Sequence, residues 1–248
     1  MDCTGPAFAE HADQRSVALE MLARGLTSAV VFDEHGNMDQ PSSVFRKRSL
    51  LVHRCSLRRD NPELEPMMRG AAALLASEGI TTERGPLPLL EVSVAGDDST
   101  NPASTHGFRA SVDRVFQPGH ASMLTNCAET FRVSTCLRRY SADPIRFVFG
   151  LDSVVTILRE HVYKEIGGGV LEGLGRLLTP NTKLYAFSMA ADTLRERLKL
   201  HNVEPGFWSA PAKPLLTADD LTLAGPAGHL LEFIKSAGWV MLVEAIPK

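Results

Sequence analysis

Residues 120–189 alternate between short apolar runs and amphipathic stretches, and this alternation constrains the fold more than any other feature of the chain. The runs at residues 121–125, 145–149 and 183–187 have the length and near-continuous apolar character of strands buried on both faces. The stretches between them carry apolar residues at helical spacing. Strands that alternate with helices indicate crossover connections and a parallel sheet. The sequence therefore predicts a three-layer, Rossmann-like α/β fold with a mostly parallel sheet.

Local signals predict the boundaries of these elements. Asn126 and Glu129 have the spacing of a capping box, so we expect a helix from this point to about Tyr140. A second helix is expected to begin at Asp152 or Ser153. We expect one domain that comprises the whole chain, 1–248, with 120–189 as its core β-α-β-α-β unit and 1–60 as an N-terminal helix-plus-sheet subregion. Further helices are expected at residues 15–24, 66–77, 170–178 and 228–237, and further strands at 28–32, 49–53, 88–94 and 239–245.

Composition and charge narrow the functional class. Hydrophobic residues make up 44% of the chain and charged residues 22%, as in ordinary globular proteins. A net charge of −3 argues against a protein that binds nucleic acid by bulk attraction, and no apolar run reaches the roughly 18 residues of a membrane span. The N-terminal residues lack the pattern of a secretory signal. The four cysteines are scattered without a CxxC pair, which favours reduced thiols in the cytoplasm over disulfides or a zinc site.

The first core helix carries the main candidate site. Because it follows a strand, its first turn is expected at the edge of the sheet where α/β proteins bind ligands. The helix dipole and the planar guanidinium of Arg132 would bind a carboxylate or phosphate there, and Glu129 would act as a base or orient an amine or hydroxyl. The alternative is a solvated face with an ordinary i,i+3 ion pair. Helical spacing is expected to put four residues on one face: Glu129, Arg132, Cys136 and Arg139.

Two further polar patterns each have two interpretations. The glycines at 167–169 would either bind an anion through their N–H groups or form a plain hinge between helices, and the hinge is favoured because the dinucleotide-binding spacing is absent. Glu172 and Arg176, just beyond them, have the spacing of an ordinary i,i+4 pair. Asp97 and Asp98 would bind Mg²⁺ or a ribose, or simply end a strand. The strand-ending turn is favoured.

The sequence predicts neither a metal site nor a nucleophile. His161 and Glu165 lie one helical turn apart, but nothing nearby would complete a set of metal ligands. Cys127 and Cys136 flank the first core helix, yet no base is positioned to activate either thiol, which favours a packing role. The cofactor, if the protein uses one, stays unknown.

A set of short motifs extends over residues 30–189 and is most specific over 126–185. It consists of Leu51-Val-His-Arg54 with Arg58, Asn126, Glu129, Phe131 and Arg132, Leu137-Arg-Arg-Tyr140, Phe147-Val-Phe-Gly150, Tyr163, Gly168-Gly-Val-Leu-Glu172, Gly175-Arg-Leu177, and Lys183-Leu-Tyr185. In these motifs the chain resembles a family of bacterial α/β proteins that is common in cyanobacteria and has no established function. Its members often carry the automatic label nicotinate-nucleotide adenylyltransferase.

The resemblance implies one site formed by the polar residues of these motifs. The chain departs from the family pattern around residues 96–114 and ends sooner than family members do, so the resemblance does not imply a shared substrate. Beyond Glu129, Arg132 and Arg139, the resemblance adds these substrate-binding candidates: Arg54, Arg58, Asn126, Gly168, Gly169, Glu172, Arg176, Lys183 and Tyr185.

These observations favour an enzyme that acts on a small anionic metabolite, phosphorylated or carboxylated, by general acid–base chemistry without a tightly bound metal. We expect a homodimer. A composition rich in alanine and arginine is typical of high-GC bacteria and favours a role in specialised biosynthesis. The alternative is a non-catalytic ligand-binding or assembly protein that keeps the pocket. A closed pocket dense in titratable groups would favour the enzyme, whereas an open arginine patch would favour the alternative.

Overall fold

The computed structural model describes residues 14–56, 62–95, 116 and 119–243, and this part of the chain has the predicted three-layer, Rossmann-like α/β fold. Eight of its strands pair mostly in parallel, and the remaining short strands form separate two-stranded pairs. The helices are α1 (Gln14–Ala23), α2 (Pro41–Val44), α3 (Leu64–Ser77), α4 (Thr130–Arg138), α5 (Leu151–Thr156), α6 (Gly169–Leu177), α7 (Ala191–Leu200) and α8 (Pro226–Ser236). The strands are β1 (Ala29–Phe32), β2 (Met38–Asp39), β3 (Leu50–Arg54), β4 (Leu87–Ser93), β5 (Ala121–Thr125), β6 (Ile145–Gly150), β7 (Thr182–Phe187), β8 (Met189–Ala190), β9 (Trp208–Ser209), β10 (Leu215–Leu216), β11 (Thr222–Leu223) and β12 (Val240–Val243). Short 3₁₀ helices lie at Glu160–Tyr163 and Ala218–Asp220.

The chain divides into two compact units. The first comprises residues 1–61 and 81–143, and the second comprises 62–80 and 144–248. The expected N-terminal subregion, residues 1–60, therefore falls in the first unit, and the expected core segment, residues 120–189, is divided between the two.

In the first unit the strands follow the order β3-β4-β5-β1-β2. β3 pairs in parallel with β4, and β4 pairs in parallel with β5, whereas β1 is antiparallel to both β5 and β2. Every residue of β5 is buried, as are most residues of β3 and β4. Strands buried on both faces need continuous apolar sequence, which is why these segments are predictable from the sequence. The arrangement aligns the carboxyl ends of three parallel strands at one edge.

In the second unit β7 lies between β12 and β6 and pairs in parallel with both. β6 and β7 are joined by α5, a 3₁₀ turn and α6, which confirms the predicted strand–helix–strand connection. Helix α3 packs against β6 and β12. No helix among the described residues is long and apolar enough to cross a membrane.

Two predicted helices begin or end at the wrong residues. The predicted capping box at Asn126 is wrong, because α4 begins at Thr130 and Glu129 precedes the helix in extended conformation. Arg54 donates hydrogen bonds to the carbonyls of the preceding loop and keeps this loop out of the helix. The second core helix, expected to begin at Asp152 or Ser153, begins at Leu151 after the N-cap residue Gly150 and ends at Thr156. There the chain turns so that the buried Arg159 donates hydrogen bonds to the carbonyls that end α7.

Candidate functional site

Glu129 and Arg132 form an ion pair at the junction of β5 and α4, where parallel strands of the first unit end. The Nε of Arg132 lies 2.6 Å from Oε2 of Glu129. The Glu129 side chain is 18% exposed and that of Arg132 is 45% exposed. Arg132 also lies against the ring of Phe131. The structure therefore puts an acid and a base together at the expected edge of the sheet, in the i,i+3 arrangement that the sequence also allowed as an ordinary surface pair.

The expected single face of the helix is only partly formed. Glu129 lies before the helix and not on it, and Cys136 is buried. Arg139 is the exposed C-terminal cap residue of α4, at the opposite end of the helix from Arg132. Asn126 is exposed, and its backbone N–H donates to the carbonyl of Ser28. Of this set, Glu129 and Arg132 form an ion pair, and the backbone N–H of Arg139 donates to the carbonyl of Cys136.

Arg54 is a positioning residue for the loop that carries Glu129. Its Nε donates to Glu91 at 2.7 Å. Its terminal nitrogens donate to the carbonyls of Cys127 and Ala128 and to the hydroxyl of Thr130, at 2.9, 3.1 and 3.2 Å. With four of its hydrogen bonds directed into the protein, Arg54 holds the loop between β5 and α4 in place.

Glu91 is the partner that sequence analysis missed. Its side chain is fully buried and accepts a hydrogen bond of 2.6 Å from the hydroxyl of Thr125 in addition to the bond from Arg54. A carboxylate without solvent contact is retained only when it is paired in this way. The available signal was a single charged residue inside the apolar segment Leu87–Ser93.

The thiols near this cluster are protonated at neutral pH. Burial, with a smaller contribution from the charge of Glu91, raises the pKa of Cys55 to about 12. Burial, Cys136 and Glu91 raise the pKa of Cys127 to about 11, and burial raises that of Cys136. Because the thiolate is the nucleophile, these shifts favour the packing role that the sequence indicated.

The glycine segment forms a turn between the 3₁₀ helix at Glu160–Tyr163 and α6. The N–H of Gly168 already donates to Oε2 of Glu172 at 2.8 Å, and Gly169 has a positive φ of 58°. Glu172 also forms an i,i+4 ion pair with the exposed Arg176. This geometry is that of a hinge with a side-chain cap. Arg58, Asp97 and Asp98 lie outside the described residues.

Lys183 and Tyr185 belong to a buried ion-pair network toward the amino ends of β6 and β7, not to the edge where these strands end. Arg146 donates to both oxygens of Glu78, at 3.0 and 3.1 Å. Lys183 donates to Glu78 at 2.5 Å, and the hydroxyl of Tyr185 donates to it as well. Burial by itself would raise the pKa of Glu78, but these three donors outweigh it and lower the pKa to about 2. The network holds α3 against the strands, and the sequence signalled it only by Arg146 within an apolar run.

A separate polar cluster lies at the carboxyl end of β6 in the second unit. Asp152, two residues after the end of the strand, is buried, and its Oδ1 has no hydrogen-bond partner among the described residues. Nη1 of Arg197 lies 3.7 Å from Oδ1, and Nε2 of His201 lies 3.7 Å from Oδ2. Burial would raise the pKa of Asp152, but His201 and Arg197 outweigh this and lower it. Sequence analysis treated Asp152 only as a helix cap.

The fold and these clusters define an α/β protein with charged side chains where its parallel strands end. Comparison with protein-family models, with curated proteins and with solved structures finds no match. The resemblance stated from the motifs therefore stays a prediction. Among the described residues, no group of three or more histidine, cysteine, aspartate or glutamate side chains is placed to hold a metal ion.

Proposed function

We propose that the protein is an enzyme that acts on a small anionic metabolite by general acid–base chemistry, with Arg132 as the anion-binding residue and Glu129 as the residue that transfers a proton. One observation carries the proposal. Arg132 contacts Glu129 through Nε, and among the described residues no hydrogen bond or ion pair involves its two terminal amino groups. Those amino groups form the edge of the guanidinium that binds a carboxylate or phosphate with two parallel hydrogen bonds.

The surroundings of the pair support this assignment. The nine-residue helix α4 begins next to Glu129, so its positive dipole end adds to the charge of Arg132 at the same place. The loop between β5 and α4 is held by Arg54, which keeps Glu129 in a defined position without a contribution from substrate. Glu129 lies close enough to a group bound on Arg132 to accept its proton, because the two side chains are in contact.

The other predicted substrate-binding residues are divided according to the unit in which they lie. Asn126 and Arg139 are exposed in the first unit and remain proposed substrate contacts, as does Arg58. Gly168, Gly169, Glu172, Arg176, Lys183 and Tyr185 have structural partners in the second unit and are not part of the proposed catalytic pair.

The test begins with a thermal-shift screen over phosphorylated and carboxylated metabolites. Arg132→Lys keeps the charge but loses the planar fork, so it should weaken the binding of any metabolite found by about tenfold or more. Arg195→Lys is the matched control, because Arg195 forms an exposed i,i+3 pair with Asp192 at the same 2.6 Å distance. Equal stabilisation of the wild type and Arg132→Lys by the metabolite would remove Arg132 from the site.

Glu129→Gln separates binding from chemistry. The amide keeps the shape of the side chain but cannot accept a proton, so we expect binding to remain and turnover to fall by about 10²-fold or more. Turnover unchanged in this variant would refute the role of Glu129. A metabolite that binds at Arg132 and is never converted, in wild type as in the variant, would instead identify the non-catalytic ligand-binding protein.

Assembly and compartment are part of the proposal. The second unit exposes Phe233 and Leu242, at 57% and 42%, which supports a homodimer formed through apolar contact. Cys55, Cys127 and Cys136 are free thiols, which supports a reducing cytoplasm. Sedimentation velocity of the wild type and of Phe233→Ser would test the dimer, and a monomeric wild type would refute it. A role in specialised biosynthesis rests on composition alone.

A further inference from the structure

The acidic side chain that follows β6 is held in an incomplete ion-pair arrangement. Asp152 is 7% exposed, and the 3.7 Å separations from Arg197 and His201 exceed hydrogen-bond length. The ion pairs of Arg54 with Glu91 and of Arg146 with Glu78 close to 2.7 and 3.0 Å. A buried carboxylate oxygen without a donor is costly, and a bound group is one way in which the missing donor is supplied.

The carboxylate of Asp152 lies against the backbone at the end of β6. A Cβ at Gly150 would lie 2.5 Å from Oδ1 of Asp152 and 2.6 Å from Cε of Met189, so the carboxylate packs directly on the glycine backbone. Gly150 has an ordinary negative φ of −76°. Glycine is therefore needed here because a side chain would not fit, and not because of the backbone conformation. The carboxylate is therefore confined against the end of β6.

On the other side of the cluster, hydrogen bonds hold the C-terminal end of α7 in place. Arg159 is buried and donates at 2.8 and 2.7 Å to the carbonyls of His201 and Asn202, and this fixes the C-terminal end of α7. Arg197 and His201 lie one helical turn apart at the C-terminal end of α7, and their side chains are 26% and 49% exposed. The two basic side chains of the cluster therefore reach solvent on the side of α7, whereas Oδ1 of Asp152 lies beneath them.

We propose that this cluster is a second site, which binds the α-amino-acid group of a small ligand: the ammonium group donates to Oδ1 of Asp152, and the carboxylate accepts from the guanidinium of Arg197. The charges decide between ligand classes. A plain carboxylate would face the negative Asp152, and a plain amine would face the positive Arg197. A zwitterion places each charge against its opposite and adds no net charge to the site, and it replaces contacts of 3.7 Å with charge-assisted hydrogen bonds.

His201 is a positioning residue in this site. It lies beside Oδ2 of Asp152, on the far oxygen from the one that receives the ligand, and helps to keep the carboxylate ionised and oriented. The site lies entirely within the second unit and does not depend on the proposed role of Glu129 and Arg132.

The experiment measures the melting temperature with each of the twenty standard L-amino acids at about 10 mM. We expect at least one to raise it by about 3 °C, the shift for a ligand at roughly ten times its Kd acting on a chain of this size. The matching deaminated acid and decarboxylated amine at the same concentration should give no shift. If no amino acid gives a shift, or if either analogue gives an equal one, the proposal is overturned.

Variants locate the binding. Asp152→Asn, Arg197→Gln and Gly150→Ala should each abolish the shift, the last because the added Cβ displaces the carboxylate. Asp192→Asn and Arg195→Gln are matched controls on the same helix and should keep it, since both side chains are exposed. Arg197→Gln removes a partly exposed side chain, so it should remain folded even if Asp152→Asn does not. A shift that survives in Arg197→Gln would overturn the assignment.

Discussion

Two glycines in α6 offer a sharp test of the packing in the second unit. Gly173 is buried, and a Cβ there would overlap the ring of Tyr163. Gly175, two residues further on, is exposed and has open space around its Cα. The same substitution, glycine to alanine, therefore meets opposite surroundings in one helix. We expect Gly173→Ala to destabilise the protein and Gly175→Ala to stabilise it.

The magnitudes follow from two contributions to the free energy of unfolding. Alanine is favoured over glycine within a helix by about 0.5–1 kcal/mol, and both variants gain this. Gly173→Ala alone also overpacks the core, which costs about 1–3 kcal/mol. The ring of Tyr163 cannot easily withdraw, because it is 2% exposed and its hydroxyl donates to the carbonyl of Ile157. The difference between the two variants should therefore be about 1–3 kcal/mol.

The assay is urea unfolding followed by tryptophan fluorescence. Both tryptophans, Trp208 and Trp239, lie in the second unit with α6, so the signal reports the unit that the substitutions affect. At equal m values, the midpoint of Gly175→Ala should lie above that of the wild type and the midpoint of Gly173→Ala below it. If Gly173→Ala proves as stable as Gly175→Ala, Tyr163 does not occupy the space beside the glycine and the reasoning is refuted.

Two buried ion pairs give further predictions. Because the pKa of Glu78 is held at about 2, below its ordinary 4.5, its contribution to stability is fully present above pH 4.5 and is lost as the pH falls toward 2. Glu78→Gln should flatten this part of the pH–stability curve and should lower stability at pH 7 by about 3–5 kcal/mol, since Arg146 is left buried without its carboxylate. A curve of unchanged shape would contradict the assignment. Arg54→Met should also cost about 3–5 kcal/mol, because Glu91 would be a fully buried charge without a cationic partner, whereas Arg139→Met, at an exposed position, should change stability by less than about 0.5 kcal/mol. Equal midpoints for these two arginine variants in urea unfolding would contradict the role of Arg54.

The candidate site was predictable in part. The position of Glu129 and Arg132 at the carboxyl edge of the sheet follows from the order of strand and helix, and their contact follows from a spacing of three residues. The single helix face was not correct, because Arg54 holds the preceding loop and delays the start of α4 to Thr130. A capping signal in the sequence is local, and a tertiary hydrogen bond from a residue more than seventy positions away outweighed it.

The alternation of apolar strands with amphipathic helices is written in the sequence, because burial on both faces of a parallel sheet demands continuous apolar residues. β5 spans the same five residues, 121–125, that the apolar run predicts. The partners of the buried charges cannot be predicted from the sequence. Arg54 meets Glu91 across 37 positions and Lys183 meets Glu78 across 105, and no periodicity relates such residues. Local spacing determines which face of a strand or helix a side chain occupies, but only the packing of distant segments decides which charges become neighbours. It also leaves one oxygen of Asp152 without a donor among the described residues.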